Sequence, residues 1–114
     1  MPESGPAVTT KPATAVLIVH HEDESRRAAR AVVGETPGFE GVGEAGSAEE
    51  ALELAMALRP DLVLVAAHMP GIDGHETSRR LVEARPATEV VVLDEMEALT
   101  PAALQALWRE RRTQ

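Results

Sequence analysis

Three short blocks limit what this chain can fold into: Ala15–Val19 (AVLIV), Leu62–Val65 (LVLV) and Glu89–Leu93 (EVVVL), separated by stretches with helical spacing. Strand-length runs that are apolar at nearly every position need cover on both faces, as strands of a parallel sheet have. Between the first two blocks lie a helical segment Ser25–Gly34, a weaker strand Phe39–Glu44 and a second helix Ala48–Leu58. A third helix, His75–Ala84, leads into the last block. The order β-α-β-α-β-α-β, with right-handed crossovers, gives a doubly wound three-layer α/β/α domain.

Local signals set the boundaries. Thr36-Pro37-Gly38, Arg59-Pro60 and Arg85-Pro86 end helices, because proline cannot continue one and restrains the residue before it. Ser47 and Glu50 have capping-box spacing, so hydroxyl and carboxylate can satisfy orphan amides at a helix start. Thr100-Pro101 is a cap followed by proline at the first helical position, opening a last helix over about 101–112. In the first helix Arg26, Arg27 and Arg30 are read as outward, and Ala28, Ala29, Val32 and Val33 as inward. In the second, Ala51, Leu52, Ala55, Met56 and Leu58 form the apolar face. Strand three is read as Asp61–Val65.

At 114 residues the chain holds one domain, 15–114, behind a proline-containing lead-in, 1–14, whose composition reads as disordered. No apolar run approaches the roughly 20 residues of a membrane span, and the start lacks a secretory h-region, so a cytoplasmic location is expected. There is no cysteine, which excludes disulfides and thiol ligands. With 11 Lys and Arg against 19 Asp and Glu, the net charge of −8 repels phosphate backbones, so direct nucleic-acid binding is not expected. The basic group Arg109, Arg111 and Arg112 suits the C-terminal end of a helix.

In such a sheet, sites form beyond the C-terminal strand ends, here His20, His21, Ala66, Ala67, His68 and Asp94. The phrases VLIVHHED, GFEGVGEAGSAEEALELAMALRPDLVLV, MPGIDGHETSRRL and ARPATEVVVL, over residues 14–94, resemble the receiver domains of two-component response regulators. The resemblance implies a flavodoxin-like, CheY-like fold with sheet order 2-1-3-4-5. It also implies transfer of a phosphoryl group from a histidine kinase to an aspartate, aided by Mg²⁺.

The resemblance places that aspartate at position 66, which is alanine and carries no nucleophile. It places the acidic pair that holds Mg²⁺ at His20 and His21, and the hydroxyl that senses the phosphoryl group at Asp94. Met69, Pro70, Gly71 and Gly74 keep the loop. Asp61 opens the third strand, at the wrong end of the sheet to substitute, and Glu22 and Asp23 offer only weak cation binding. The family's Lys-Pro, fifth strand and fifth helix have no room: one helix fills the space after Leu93, and four strands in order 2-1-3-4 are expected.

Other readings have plainer rivals. His20, His21 and His68 lie at adjacent strand tips and suit Zn²⁺, Ni²⁺ or Cu²⁺, with an oxygen from Asp94, or a response to pH; the plainer reading is three histidines in a crevice without catalysis. Gly41, Gly43 and Gly46 match G-x-G-x-x-G but follow no first strand, which excludes dinucleotide binding. A hydrolase on Ser25 or Ser78 lacks a placeable base, and His75 and Glu76 begin an exposed helix face.

Without a fifth strand, Val90–Leu93 is an edge that invites pairing. Leu104, Leu107 and Trp108 form a stripe that either packs on the chain's own sheet or, with Val90 and Val92, makes an interaction surface. The sequence therefore points to a receiver-like signalling domain, not an enzyme and without a cofactor, that acts by protein contact independently of phosphorylation. A protein partner or a homodimer is expected. The alternative is a metal- or pH-responsive module using His20, His21 and His68.

Overall fold

The computed structural model describes residues 12–112. Its strands are β1 (Thr14–Val19), β2 (Phe39–Ala45), β3 (Leu62–Ala66) and β4 (Glu89–Leu93). Its helices are α1 (Asp23–Glu35), α2 (Ala48–Leu58), α3 (Gly74–Ala84) and α4 (Pro101–Arg112), with a 3₁₀ turn at Met96–Ala98. The sheet is parallel in the expected order β2-β1-β3-β4, and no fifth strand occurs among the described residues.

Alternate residues of the central strands feed two cores. Val16, Ile18, Leu62 and Leu64 face α1 and α4, meeting Ala29, Val33 and Leu104. Leu17, Val19, Val63 and Val65 face α2 and α3, meeting Ala51, Ala55 and Leu81. Every residue of β3 is buried, as a strand covered on both faces must be. Each such aliphatic side chain contributes about 1.5–3 kcal/mol relative to exposure.

Several boundaries differ from the sequence reading. β1 begins at Thr14, inside the expected lead-in, whose residues 1–11 lie outside the described residues. β3 starts at Leu62, because Asp61 turns its carboxylate back to accept the Ala15 amide at 2.8 Å. β2 extends to Ala45, whose carbonyl accepts the His20 amide at 3.0 Å. Between Val16 and Leu17 the β1–β2 register shifts and leaves Val42 unmatched, so Gly41 and Gly43 flank a bulge.

The α1 helix starts at Asp23 rather than Ser25, and its inward positions are Ser25, Ala29 and Val33. Ala28 is exposed, and Arg26 is folded down against Glu44, Asp23 and the His20 carbonyl. On α2, Met56 and Leu58 are 53% and 40% exposed, so the true inward face is Ala48, Ala51 and Ala55. The cap forms with its return bond displaced by one residue: Ser47 Oγ accepts from Glu50 N at 3.2 Å, while Glu50 Oε1 accepts from Gly46 N, ahead of the cap, at 2.8 Å. The α3 helix begins at Gly74, capped by Asp73.

Candidate functional site

The site region is built by the tips of β1, β3 and β4. At the tip of β3, Ala66 and Ala67 are 4% and 3% exposed and offer only methyl groups. The following loop turns at Gly71, whose φ of +79° suits glycine, and returns so that Gly74 N donates to Ala67 O at 2.9 Å. Gly74 is packed directly on the strand tip: a Cβ there would lie 2.1 Å from the Ala66 carbonyl oxygen. Met69 inserts between the two cores, while His68, Pro70 and Asp94 are exposed.

At the tip of β1, His20 is buried and at the centre of a polar cluster. Its Nδ1 accepts the Glu22 amide at 3.0 Å, which in a neutral imidazole leaves the ring proton on Nε2. That nitrogen lies 3.3 Å from Glu97 Oε2, in the 3₁₀ turn after β4. Ser25 Oγ reaches Glu97 Oε2 at 2.6 Å and Glu22 Oε1 at 3.2 Å, although a hydroxyl has one proton to donate. The Ser25 hydroxyl, then the residue's own backbone hydrogen bond and the nearby His20, hold the Glu97 carboxyl below its ordinary range against partial desolvation.

This arrangement differs from the histidine cluster read from the sequence. Ligand atoms within 4.8 Å of one another come from His20, Glu22 and Glu97. His21 instead stacks on His20 with ring centroids 5.1 Å apart, and His68 and Asp94 stand exposed outside the group. A metal ion on His20 Nε2 would have to drive the ring proton to Nδ1 and break the hydrogen bond that Nδ1 accepts from the Glu22 amide. No local sequence signal joins Ser25 and Glu22 to Glu97, which is 72 residues from Ser25 in sequence.

The expected contact surface is also corrected. Val90 and Leu104 are 7% and 0% exposed, so their side chains belong to the cores. Leu107 and Trp108 pack half-buried on the α1 side, where Trp108 meets Phe39 edge to face at 6.4 Å and carries Arg112 over its ring at 5.5 Å. Of the proposed set only Val92 lies along the open edge without joining a core.

Residues 16–109 match the response regulator receiver domain. The chain belongs to that family. It is 38% identical over 78 residues to the response regulator GacA of Pseudomonas aeruginosa, a match covering 68% of this chain and 36% of that protein. It is 38% identical over 82 residues to the nitrate/nitrite response regulator NarL of Escherichia coli, covering 72% and 38%. The chain thus spans a little over a third of the length of these relatives. The crystal structure of the response regulator domain of Thermotoga maritima CheB superposes with a TM-score of 0.65 at 26% identity, covering 84% of this chain and 72% of that one. This receiver domain therefore shares the fold and the signalling family, and no helix of its described residues is long and apolar enough to cross a membrane.

Proposed function

We propose that this receiver domain has lost the phosphoacceptor and signals by protein contact, without phosphorylation, in the cytoplasm and without catalysis of its own. The observation that carries the reading is the methyl of Ala66 at the β3 tip, where the family's chemistry requires a carboxylate. The family's Mg²⁺ does not fit the residues present. A hard cation takes oxygen ligands, whereas β1 ends in two imidazoles and β3 in two methyl groups. The Glu22 and Glu97 carboxylates lie on either side of Ser25, off to the α1 side, with the shorter hydroxyl contact to Glu97. Met69, Pro70, Gly71 and Gly74 then serve as a loop that shapes the surface.

Incubation with acetyl phosphate and Mg²⁺, followed by intact mass measurement, tests this. The natural chain should gain no phosphoryl group. The Ala66→Asp variant measures how much of the pocket survives beside the new carboxylate. A phosphoryl adduct on any carboxylate of the natural chain would overturn the reading.

A further inference from the structure

We infer that the outer edge of β4 is a self-association surface, filled by β4 of a second copy running antiparallel to it. This rests on the reading of the domain as a protein-contact module and names the contact. The hydrogen-bond pattern identifies the groups involved. Glu89 N donates to Asp61 O at 3.0 Å, and Leu93 O accepts from Ala67 N at 2.9 Å. In a parallel ladder alternate residues turn both backbone groups to one neighbour, so Glu89, Val91 and Leu93 serve β3. Val90 and Val92 therefore direct their amides and carbonyls outward, where no strand pairs among the described residues.

The two edges of this sheet are treated differently. β2 carries a bulge, two glycines and Glu44, which Arg26 and Arg30 hold in place. β4 has an unbroken register and the sequence Glu-Val-Val-Val-Leu, with no proline, lysine or bulge to discourage pairing.

A second copy fits this edge for two reasons. A two-fold pairing centred on Val91 sets Val90 of each copy against Val92 of the other, two pairs exchanging two bonds each, four in all. The edge is also electrically polar along its length. At its N-terminal end the charges of Glu89 and Arg111, 3.4 Å apart, offset each other, whereas at its C-terminal end Asp94 and Glu95 are exposed with no ion-pair partner among the described residues. Parallel pairing would set the two acidic ends side by side, whereas antiparallel pairing sets each acidic end against the Glu89–Arg111 pair of the other copy, where Arg111 can face Asp94.

Light scattering after size exclusion, from micromolar to millimolar protein, should show the mass rising from 12.2 kDa towards twice that value. The Val92→Pro variant removes an outward amide that β3 does not use. It takes two donors from each dimer and should raise the dissociation constant about thirtyfold, a factor of about five per bond. Far-UV circular dichroism of its monomer checks the fold. Should Val92→Pro not fold, Asp94→Arg and Arg111→Asp decide: each alone should weaken the dimer and the two together restore it. A chain that stays monomeric throughout, or a dimer indifferent to these substitutions, overturns the inference. A monomer would leave the acetyl phosphate result untouched, so the two failures are distinguishable.

Discussion

Replacing Gly74 with alanine sets two effects of known sign against each other. Alanine is the better helix former by about 0.5–1 kcal/mol, and Gly74 is the first residue of α3. Against this, the added Cβ would stand 2.1 Å from Ala66 O, 2.8 Å from Ala66 C and 2.8 Å from Ala67 Cα, where ordinary contact begins at 3.4 Å. The obstructing atoms are backbone, fixed on one side by the β3 ladder and on the other by Ala67 N donating to Leu93 O at 2.9 Å. Overpacking that flexible side chains can relieve costs about 1–3 kcal/mol, and here the relief must come from moving the start of α3 by about an ångström. The net expectation is a loss of about 2 kcal/mol. Gly34→Ala is the internal control, since Gly34 lies within α1 and a Cβ there meets nothing within 4 Å. It should gain about 0.5–1 kcal/mol. Urea unfolding followed by far-UV circular dichroism and by the fluorescence of the single tryptophan, Trp108, reads both. At unchanged m-value, the midpoint should fall for Gly74→Ala and rise for Gly34→Ala. A Gly74→Ala variant as stable as the parent would refute the steric argument and release the loop from its tie to the β3 tip.

Further outcomes follow from individual contacts. Hydrogen bonds from Arg79 and then Arg80 lower the Glu76 carboxyl from 4.5 to about 2, so its contribution is present above the unfolded value and is lost as pH falls through that window. Carboxyl NMR should follow the titration directly, and Glu76→Gln should flatten the melting temperature over the same range. Ser25→Ala removes the main donor to Glu97, and the Glu97 carboxyl should then titrate closer to its ordinary value by the same NMR measurement. Ser47→Ala should cost about 1 kcal/mol in urea unfolding, the usual cost of losing a helix N-cap. An unchanged midpoint would mean that the α2 amide is satisfied by water.

Periodicity and punctuation were enough to locate α2, β4 and the start of α4, because each is bounded by a proline, a cap or a strong apolar run. The start of α1 was not legible: HHEDES offers several competing start signals in Asp23, Glu24 and Ser25, and the cap position falls on Glu22, which makes no side-chain cap bond. Ala28 was read inward on hydropathy alone, yet the helical phase turns Ser25 and Ala29 to the sheet, a polar residue displacing an apolar one. The Leu104, Leu107 and Trp108 stripe looks the same whether it meets the chain's own sheet or another protein, and only packing resolved it. The meeting of His20 with Glu97 depends on how a turn after the fourth strand lies over the first helix, which local sequence does not encode. Which ring nitrogen of His20 is engaged is set by a backbone amide two residues on.

The seam that α1 forms with the 3₁₀ turn and α4 has a kinetic meaning. The strand pairings join β1 to β2, β1 to β3 and β3 to β4, whereas on the α1 face Ser25 is tied to Glu97 of the 3₁₀ turn across 72 residues, and Leu104 of α4 joins the core of Ala29 and Val33. Closing so long a loop is rewarded only after the sheet exists, so the seam belongs to the late, downhill side of the folding barrier. Leu104→Ala, at a position with no exposure, should therefore steepen the loss of the native state by accelerating unfolding while the refolding limb of a chevron stays where it is. A slowed refolding limb would place α4 in the nucleus instead. On this account the seam governs how long the native state lasts, and the β-strands govern how quickly it is reached.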